Sequence, residues 1–289
     1  MPSRCGEKRR LQVSDRTLSG KVALVTGASR GIGAAIAELF AEAGATVVVT
    51  ARTVDPAASK LTGTIHETVE KITRAGGTAV AMAADLSRAS ERERLVTETV
   101  EQLGHIDVLV NNAAVTYFVP VVAFTAKHFH LMFEVQVTAP FHLAQLVLPG
   151  MISKGEGWIL NISSGAARHP AIPLESSGRS GGGTVYGMCK AAIERFTTGL
   201  ASETYVNNVA VNALSPNRVV PTPGTLFHHL VRPEDPDQVV EPPEVMAEAA
   251  LALCSVAPRS RTGLIAYSQD LLNELGITVG VAGSPELPR

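Results

Sequence analysis

The sequence predicts an α/β fold in which a doubly wound parallel sheet of about seven strands has helices on both faces. Two observations lead to this prediction. Short apolar runs alternate with longer segments of helical periodicity along most of the 289-residue chain, which is typical of βαβ units. The short runs are almost continuously apolar, as in parallel strands whose two faces are both buried.

The first half of the chain contains four predicted strands and three predicted helices. Residues 22–25 form an uninterrupted apolar run and residues 46–50 a β-branched run, so both are predicted strands. Between them, residues 34–43 have helical periodicity, and the helix is expected to end at Gly44. The remaining predictions for this half are helices at 65–75 and 91–103 and strands at 79–83 and 106–110.

The second half continues the alternation. Its predicted elements are helices at 125–152, 186–205 and 243–254 and strands at 158–162, 209–213 and 264–267. Because no second block of composition and no internal repeat interrupts this order, residues 19–289 are predicted to form a single domain. Residues 1–18 begin with charge and never reach an apolar core of the kind that signal peptides have, so they are predicted to be a disordered arm.

Composition excludes several classes of protein. A hydrophobic fraction of 45% with 18% charged residues excludes a disordered chain, and a net charge of −2 gives no basic field for nucleic acid. Cys5, Cys189 and Cys254 form no CxxC pair, so no disulfide framework is expected and a cytoplasmic location is predicted. No apolar run approaches the roughly 20 residues of a membrane span. The histidines show no metal-ligand spacing, so no metal site is predicted.

A glycine-rich turn follows the first predicted strand. Gly27, Gly31 and Gly33 stand between that strand and the first helix, in the order TGxxxGxG. Glycines allow a tight turn and let backbone N–H groups approach a pyrophosphate at the helix N-terminus, where the helix dipole favours anions. The strand before and the helix after predict dinucleotide binding in a Rossmann-like fold, with Ser29, Arg30 and Ile32 among the contacts.

The charges near the second strand bear on which dinucleotide binds. An acidic side chain at the end of this strand would bind a free ribose 2′-OH, but Ala51 stands there, followed by Arg52. Arg52 and Arg30 would suit a 2′-phosphate, because guanidinium pairs with phosphate through two hydrogen bonds. NADP(H) is therefore predicted over NAD(H). The alternative is that both arginines are merely solvated, as exposed arginines commonly are.

Several motifs in a fixed order resemble those of the short-chain dehydrogenase/reductase family, from about Lys21 to Leu272. They are the TGxxxGxG turn, Asp85 with Leu86, the segment 111–114 with Asn112 and Ala113, the segment 161–164, and Tyr186–Lys190 in the order YxxxK. The resemblance implies an oxidoreductase that transfers hydride between a nicotinamide cofactor and a ketone or secondary alcohol. It also implies cofactor contacts at Pro216 and Val219.

The resemblance implies the catalytic roles as well. Tyr186 would act as general acid/base, Lys190 would hold the nicotinamide ribose and lower the pKa of the tyrosine, and Ser164 would hydrogen-bond the reacting oxygen. Tyr186 and Lys190 are four residues apart, so they share one helix face. An isolated YxxxK is usually a solvated helix pair, but here it follows the fifth strand and a serine. Alternation along the strand points Ser163 to the opposite face.

Three departures from the family pattern leave questions open. Gln136 stands where the family has an asparagine of the proton relay, and Asn217 replaces a glycine after the sixth strand. The usual glycine pair is missing in 267–271. These departures motivate an alternative function, a catalytically weak NADP-binding sensor or scaffold. Sugar-nucleotide epimerase chemistry fits poorly, because the glycine spacing differs from the extended branch of the family.

Substrate and assembly are less constrained. Residues 52–64, 165–184 and 221–231 are long connections, and loops of this length are usually functional or disordered. The second contains the glycines 178 and 181–183 and the third contains His228 and His229, so both are candidate walls of a substrate site. Residues 60–67 and 212–217 resemble the hydroxysteroid-dehydrogenase-like protein 2 branch. The expected substrate is a small or lipid-like carbonyl or alcohol, and family analogy predicts a homodimer or homotetramer.

Overall fold

The structure, a computed structural model, describes residues 17–55, 57, 59, 61–170, 182–232, 234, 235 and 237–279. Within these residues the strands form one parallel sheet in the order β3-β2-β1-β4-β5-β6-β7. The strands are β1 Val22–Thr26, β2 Thr46–Ala51, β3 Thr78–Ala83, β4 Val108–Asn111, β5 Gly157–Ile162, β6 Val209–Ser215 and β7 Ile265–Tyr267. The predicted doubly wound sheet of seven strands is confirmed.

Helices cover both faces of this sheet, as predicted. They are α1 Gly31–Glu42, α2 Ile65–Arg74, α3 Ala89–Leu103, α4 Ala126–Phe133, α5 Ala139–Lys154, α6 Thr184–Thr204, α7 Pro223–Phe227, α8 Pro243–Cys254 and α9 Ser268–Glu274. Ala23 and Val25 pack into one core with α1 and α8, whereas Val22 and Leu24 pack into the other with α3 and α5. This two-sided burial explains why the strand sequences are continuously apolar.

Several element boundaries differ from the predictions. Helix α1 begins at Gly31, three residues earlier than predicted, so the last two glycines of the turn belong to its first turn. The predicted arm 1–18 ends too late, because Leu18 is buried in the core and its N–H donates to the carbonyl oxygen of Ala43 at 3.0 Å. Residues 1–16 lie outside the described residues. Helices α7 and α9 were not predicted.

The predicted helix 125–152 is two α-helices joined by a π-helical turn, Glu134–Thr138. By length and composition the continuous stretch 126–154 could cross a membrane: its most apolar 18-residue window has a mean hydropathy of 1.3, although 44% of that window is buried within the fold. This stretch was not predicted as a possible span, because polar and charged residues interrupt its apolar runs. Leu143, Val147 and Met151 pack against the sheet. A long apolar helix in a protein core has the same length and composition as a helix that spans a membrane.

Candidate functional site

A cavity of about 220 Å³ lies at the carboxyl ends of β1, β2 and β4. The chain order reverses between β1 and β4, and ligands of doubly wound sheets bind at this switch point. Eight residues predicted to contact the cofactor line the cavity: Gly27, Ser29, Arg30, Arg52, Asp85, Leu86, Asn112 and Ala113. Pro216, Val219, Gly31, Ile32 and Gly33 are not among its lining residues.

The glycines of the turn after β1 are required by close packing. Gly27 has a φ of +66°, and a Cβ there would lie 2.8 Å from the Cα of Ala113. A Cβ on Gly33 would lie 2.5 Å from the carbonyl oxygen of Gly27 and would overlap the side-chain amide of Asn112. The turn is thus compressed against β4, and backbone N–H groups lie open at the start of α1. This cradle fits the pyrophosphate of a dinucleotide.

Asn112 and Thr26 fasten the turn to the end of β4. The Asn112 side-chain amide donates to the carbonyl oxygens of Thr26 at 2.9 Å and Gly27 at 3.2 Å. The Thr26 hydroxyl donates to Val110 O and accepts from the N–H groups of Asn112 and Ala113 at 2.9 and 3.1 Å. The role of Thr26 was not predicted, although its place directly before Gly27 was visible in the sequence.

The two arginines of the cavity differ in what they contact. The Arg30 guanidinium donates to Thr53 Oγ1 at 3.0 Å, to Ser59 Oγ at 3.3 Å and to Gly63 O at 2.7 Å. Burial lowers the pKa of Arg30, and the charge of Glu67 partly offsets that effect. Arg30 therefore fixes the connection after β2, whereas Arg52 lines the same cavity with an exposed side chain.

Helix α6 brings the candidate catalytic residues to the end of β5. Lys190 donates from Nζ to Ile162 O at 2.8 Å, and Ser163 Oγ donates to Glu194 at 2.7 Å. Ser163 is buried by this contact, whereas Ser164 is only half-buried, accepts the N–H of Ala166 at 3.2 Å and lies near enough to Tyr186 to affect the pKa of its hydroxyl. Lys190 Nζ lies 5.6 Å from the centre of the Tyr186 ring. The three predicted side chains are therefore adjacent.

Burial governs the protonation of this group. It raises the pKa of Tyr186 above its usual value, an effect that the hydrogen bond with Ser164 opposes and the neighbouring Cys189 reinforces. Burial also lowers the pKa of Lys190 to about 8. Lys190 is not among the causes of the shift in the pKa of Tyr186, so the lowering of that pKa by Lys190, which the family resemblance implies, stays a prediction. Tyr186 is a protonated acid at neutral pH.

The lysine gives a prediction for stability. Because the folded pKa of Lys190 is about 8, against 10.5 for an ordinary lysine, the unfolded chain binds more protons between these two values. The free energy of unfolding of the cofactor-free protein should therefore rise with pH in this window. Relative to Lys190→Met, we expect a gain on the order of 1 kcal/mol between about pH 7 and about pH 9. Urea unfolding of both proteins measures it, and a difference that does not change with pH contradicts it.

Gln136 is buried in the π-helical turn between α4 and α5. Its Nε2 donates to Val115 O at 2.8 Å, and its Oε1 has no hydrogen-bond partner among the described residues. In that part of the chain, no hydrogen bond joins Gln136 to Lys190. Gln136 therefore holds the segment after β4, and a role in proton relay stays a prediction.

Asn217, which stands in place of a glycine in the turn after β6, does not have a positive φ. The non-glycine residues with positive φ in the described chain are Asn208 and His229. Asn217 instead accepts the N–H groups of Gln269 and Asp270 at its side-chain oxygen and donates its own N–H to Glu241. The side chain thus caps α9, which explains why 267–271 lacks a glycine pair.

The two ends of the segment 218–240 lie side by side. We call this pairing of Val219 with Val240 and Glu241 the loop neck. Val219 pairs with Val240, and the N–H of Glu241 donates to Val219 O at 3.0 Å. Glu241 is buried and accepts from Ser268 Oγ as well as from Asn217. Beyond the neck, Thr222 lies over the glycine turn, since a Cβ on Gly31 would lie 2.9 Å from its Cγ2. Thr222 was not predicted, because its contact depends on the tertiary fold.

Of the other long connections, 165–184 lies only partly within the described residues. It begins with a 3₁₀ turn, Gly165–Ala167, which packs on α6. Gly182 lies against the backbone of Phe118, whereas Gly178 and Gly181 lie outside the described residues. Cys189 and Cys254 are buried free thiols whose pKa burial raises, and among the described residues no three His, Cys, Asp or Glu side chains cluster as a metal site.

Curated proteins of similar sequence are oxidoreductases and related proteins. An uncharacterized oxidoreductase from Methylorubrum extorquens is 41% identical over 211 residues, which are 72% of this chain and 76% of the relative. A hydroxynaphthalene reductase-like protein from Metarhizium majus is 35% identical over 71% of this chain and 70% of its own. Hydroxysteroid dehydrogenase-like protein 2 from Danio rerio is 32% identical over 90% of this chain and 60% of its own, which confirms the predicted resemblance to that branch.

Solved structures and a family profile agree with these relatives. A metagenomic short-chain oxidoreductase in complex with NADP superposes with a TM-score of 0.70 at 30% identity, over 87% of this chain and 98% of the other. A putative dehydrogenase from Xanthomonas campestris gives a TM-score of 0.78 at 33% identity, over 91% and 92%. The profile of the short chain dehydrogenases matches residues 21–225. The chain is therefore a member of the short-chain dehydrogenase family of oxidoreductases.

Proposed function

We propose that this protein is an NADP-dependent oxidoreductase that interconverts a ketone and a secondary alcohol, with Tyr186 as general acid/base. The adjacency of Ser164, Tyr186 and Lys190 at the end of β5, on the same sheet edge as the cofactor cavity, carries the proposal. Its NADP-bound structural neighbour supports the cofactor.

In the reductive direction, one ketone, one hydride and one proton give one alcohol. The nicotinamide, when bound, supplies a hydride to the carbonyl carbon. Tyr186 donates its hydroxyl proton to the carbonyl oxygen, and Ser164 donates a hydrogen bond to the same oxygen. Lys190, fixed by Ile162 O, would hold the nicotinamide ribose. Burial raises the pKa of Tyr186, so the hydroxyl carries this proton at neutral pH.

A ketone panel tests the proposal directly. The measurement is oxidation of NADPH with each ketone by the purified protein, compared with Tyr186→Phe. Turnover that depends on Tyr186 supports the enzyme. If the protein binds NADPH but no ketone or alcohol gives such turnover, the alternative of a cofactor-binding sensor or scaffold replaces the enzyme. The Oε1 of Gln136, which has no hydrogen-bond partner within the described part of the chain, is the observation that favours that alternative.

The preference for NADP(H) is proposed to depend on Arg52. Because Arg30 already donates to Thr53, Ser59 and Gly63, Arg52 is the more available partner for a 2′-phosphate. We expect Arg52→Ala to weaken NADPH binding about tenfold and leave NADH binding unchanged. Arg74→Ala, which removes an exposed arginine of α2, is the matched control. Equal affinity for the two cofactors in the wild-type protein, unaltered in Arg52→Ala, would overturn this assignment.

Three further predictions concern the whole protein. A single domain over 19–289, a cytoplasmic location and a homodimer or homotetramer follow from the sequence and from family analogy. Light scattering of the purified protein measures the oligomeric state.

A further inference from the structure

The rings of Tyr186, Phe118, His228 and Phe227 are joined, in this order, by edge-to-face contacts that begin at Tyr186, the proposed general acid. Phe118 meets Tyr186 with ring centres 5.8 Å apart at 65° and meets His228 at 5.3 Å and 82°. His228 in turn meets Phe227 at 5.3 Å and 83°. These contacts join three separate segments, the one after β4, helix α6 and helix α7. The rings therefore form one wall beside Tyr186, which we call the aromatic wall.

Phe118 is fixed from behind. A Cβ on the buried Gly182 would lie 2.7 Å from the carbonyl carbon of Phe118 and 2.8 Å from the backbone N of Val119. The two segments of the chain are therefore in direct backbone contact. The side chain of Gln136 holds Val115 O in the same segment. The backbone near Phe118 is thus held on two sides, and its ring is in contact with the rings of Tyr186 and His228.

The borders of the aromatic wall contain no Asp, Glu, Lys or Arg and include exposed apolar side chains. Residues 113–123 and 219–231 contain no Asp, Glu, Lys or Arg. Val121, Val122, Leu226 and Phe227 are 62%, 97%, 42% and 52% exposed, so the fold itself does not bury them. Burial and the neighbouring His229 lower the pKa of His228, which leaves a neutral imidazole with one donor and one acceptor nitrogen.

We propose that Phe118, Phe227 and His228 select flat, uncharged ring ketones, with the ring of the substrate against Phe118 and a second ring oxygen hydrogen-bonded to His228. The inference rests on the proposed function, since it places the carbonyl carbon of the substrate beside Tyr186. An aromatic face favours another ring over a flexible chain, because ring pairs gain stacking energy and lose less rotational freedom. Anionic substrates are disfavoured, because neither border provides a counter-charge.

Three ketones separate ring recognition from general apolar binding. They are 2-tetralone, 2-decanone with the same carbon number, and butanone, which is too small to cover the wall. We expect kcat/KM for 2-tetralone to exceed that for 2-decanone by about tenfold. Phe118→Ala should lower the value for 2-tetralone about tenfold through KM and change that for butanone by less than about twofold. A tetralone carboxylate should be a poor substrate for the wild-type protein.

Controls keep the test decisive. Phe141→Ala removes an exposed phenylalanine that contacts Phe196 instead of the aromatic wall, and it should change none of the values. Phe118→Leu keeps an apolar side chain at this site, so it should fold even if Phe118→Ala does not. It should still lose the preference for 2-tetralone. His228→Phe should weaken only ketones with a second ring oxygen. Equal rates for 2-tetralone and 2-decanone, or an equal loss on all three ketones in Phe118→Ala, would overturn the proposal.

A binding measurement separates this inference from the proposed function. Titration of 2-naphthol, which has the shape of a reduced substrate, into the protein saturated with NADP⁺ needs no turnover. We expect its Kd to rise about tenfold in Phe118→Ala and to stay unchanged in Phe141→Ala. If no ketone turns over but this difference is found, the proposed function fails and the ring site stands. If ketones turn over but 2-naphthol binds equally to both variants, the ring site fails alone.

Discussion

Tyr186→Phe should lower ketone reduction by about 10³-fold, because the variant lacks the proton donor while keeping the ring. The ring packs beside Met132, Val185 and Cys189 and against Phe118, and these contacts do not involve the hydroxyl. The fold and the cofactor cavity should therefore persist. The measurements are single-turnover oxidation of NADPH for activity and fluorescence titration for NADPH affinity, which should change by less than about threefold.

The matched control is Tyr205→Phe, which removes the hydroxyl of a half-exposed tyrosine just after α6. Its activity should equal that of the wild-type protein. Retention of most of the reductase activity in Tyr186→Phe would rule out Tyr186 as the acid. A parallel loss of NADPH affinity would instead indicate that the hydroxyl serves the cofactor site.

Gly33→Ala should abolish cofactor binding. The added Cβ would lie 2.5 Å from the carbonyl oxygen of Gly27 and would overlap Nδ2 of Asn112. Neither atom is free to move, because Asn112 already donates to both Thr26 and Gly27. Either the turn after β1 moves away from the end of β4 or the start of α1 shifts. We expect a loss of NADPH affinity of at least about 100-fold and a destabilisation of about 1–3 kcal/mol.

Gly150→Ala provides the comparison. Gly150 lies inside α5, and a Cβ there meets nothing within 4 Å. The same substitution should therefore stabilise the protein by up to about 1 kcal/mol, because alanine has the higher helix propensity. Thermal unfolding and NADPH titration of both variants test the pair. Normal NADPH binding by Gly33→Ala would show that the turn is looser than the packing indicates.

The sheet could be predicted because each strand is recognisable from the apolar residues of its own segment. The run Val22–Val25 is apolar at every position, since odd and even residues enter two different cores. The start of α1 was harder to predict, because Gly31 has a φ of +57° and yet opens the helix. The π-helical turn around Gln136 and the capping of α9 by Asn217 depend on contacts between distant segments. No local sequence pattern predicts them.

The candidate site shows the same division. The glycine turn predicted a cofactor contact at Gly27, and the family resemblance implied contacts at Asp85 and Asn112; the structure places all three along one cavity. Spacing could not show that Arg30 donates to the carbonyl oxygen of Gly63, 33 positions away, or that burial raises the pKa of Tyr186. Such effects depend on desolvation, which a sequence pattern does not record.

The loop neck has a consequence for how this protein can diversify. Glu241 joins both ends of the segment 218–240 to Ser268, so the chain enters and leaves at one fixed place. The entropy cost of lengthening a closed loop grows only slowly with its length. Insertions or deletions between residues 223 and 239 should therefore be tolerated with little effect on the sheet or the cofactor cavity. Substrate range could change in evolution through this one segment while the hydride chemistry stays constant.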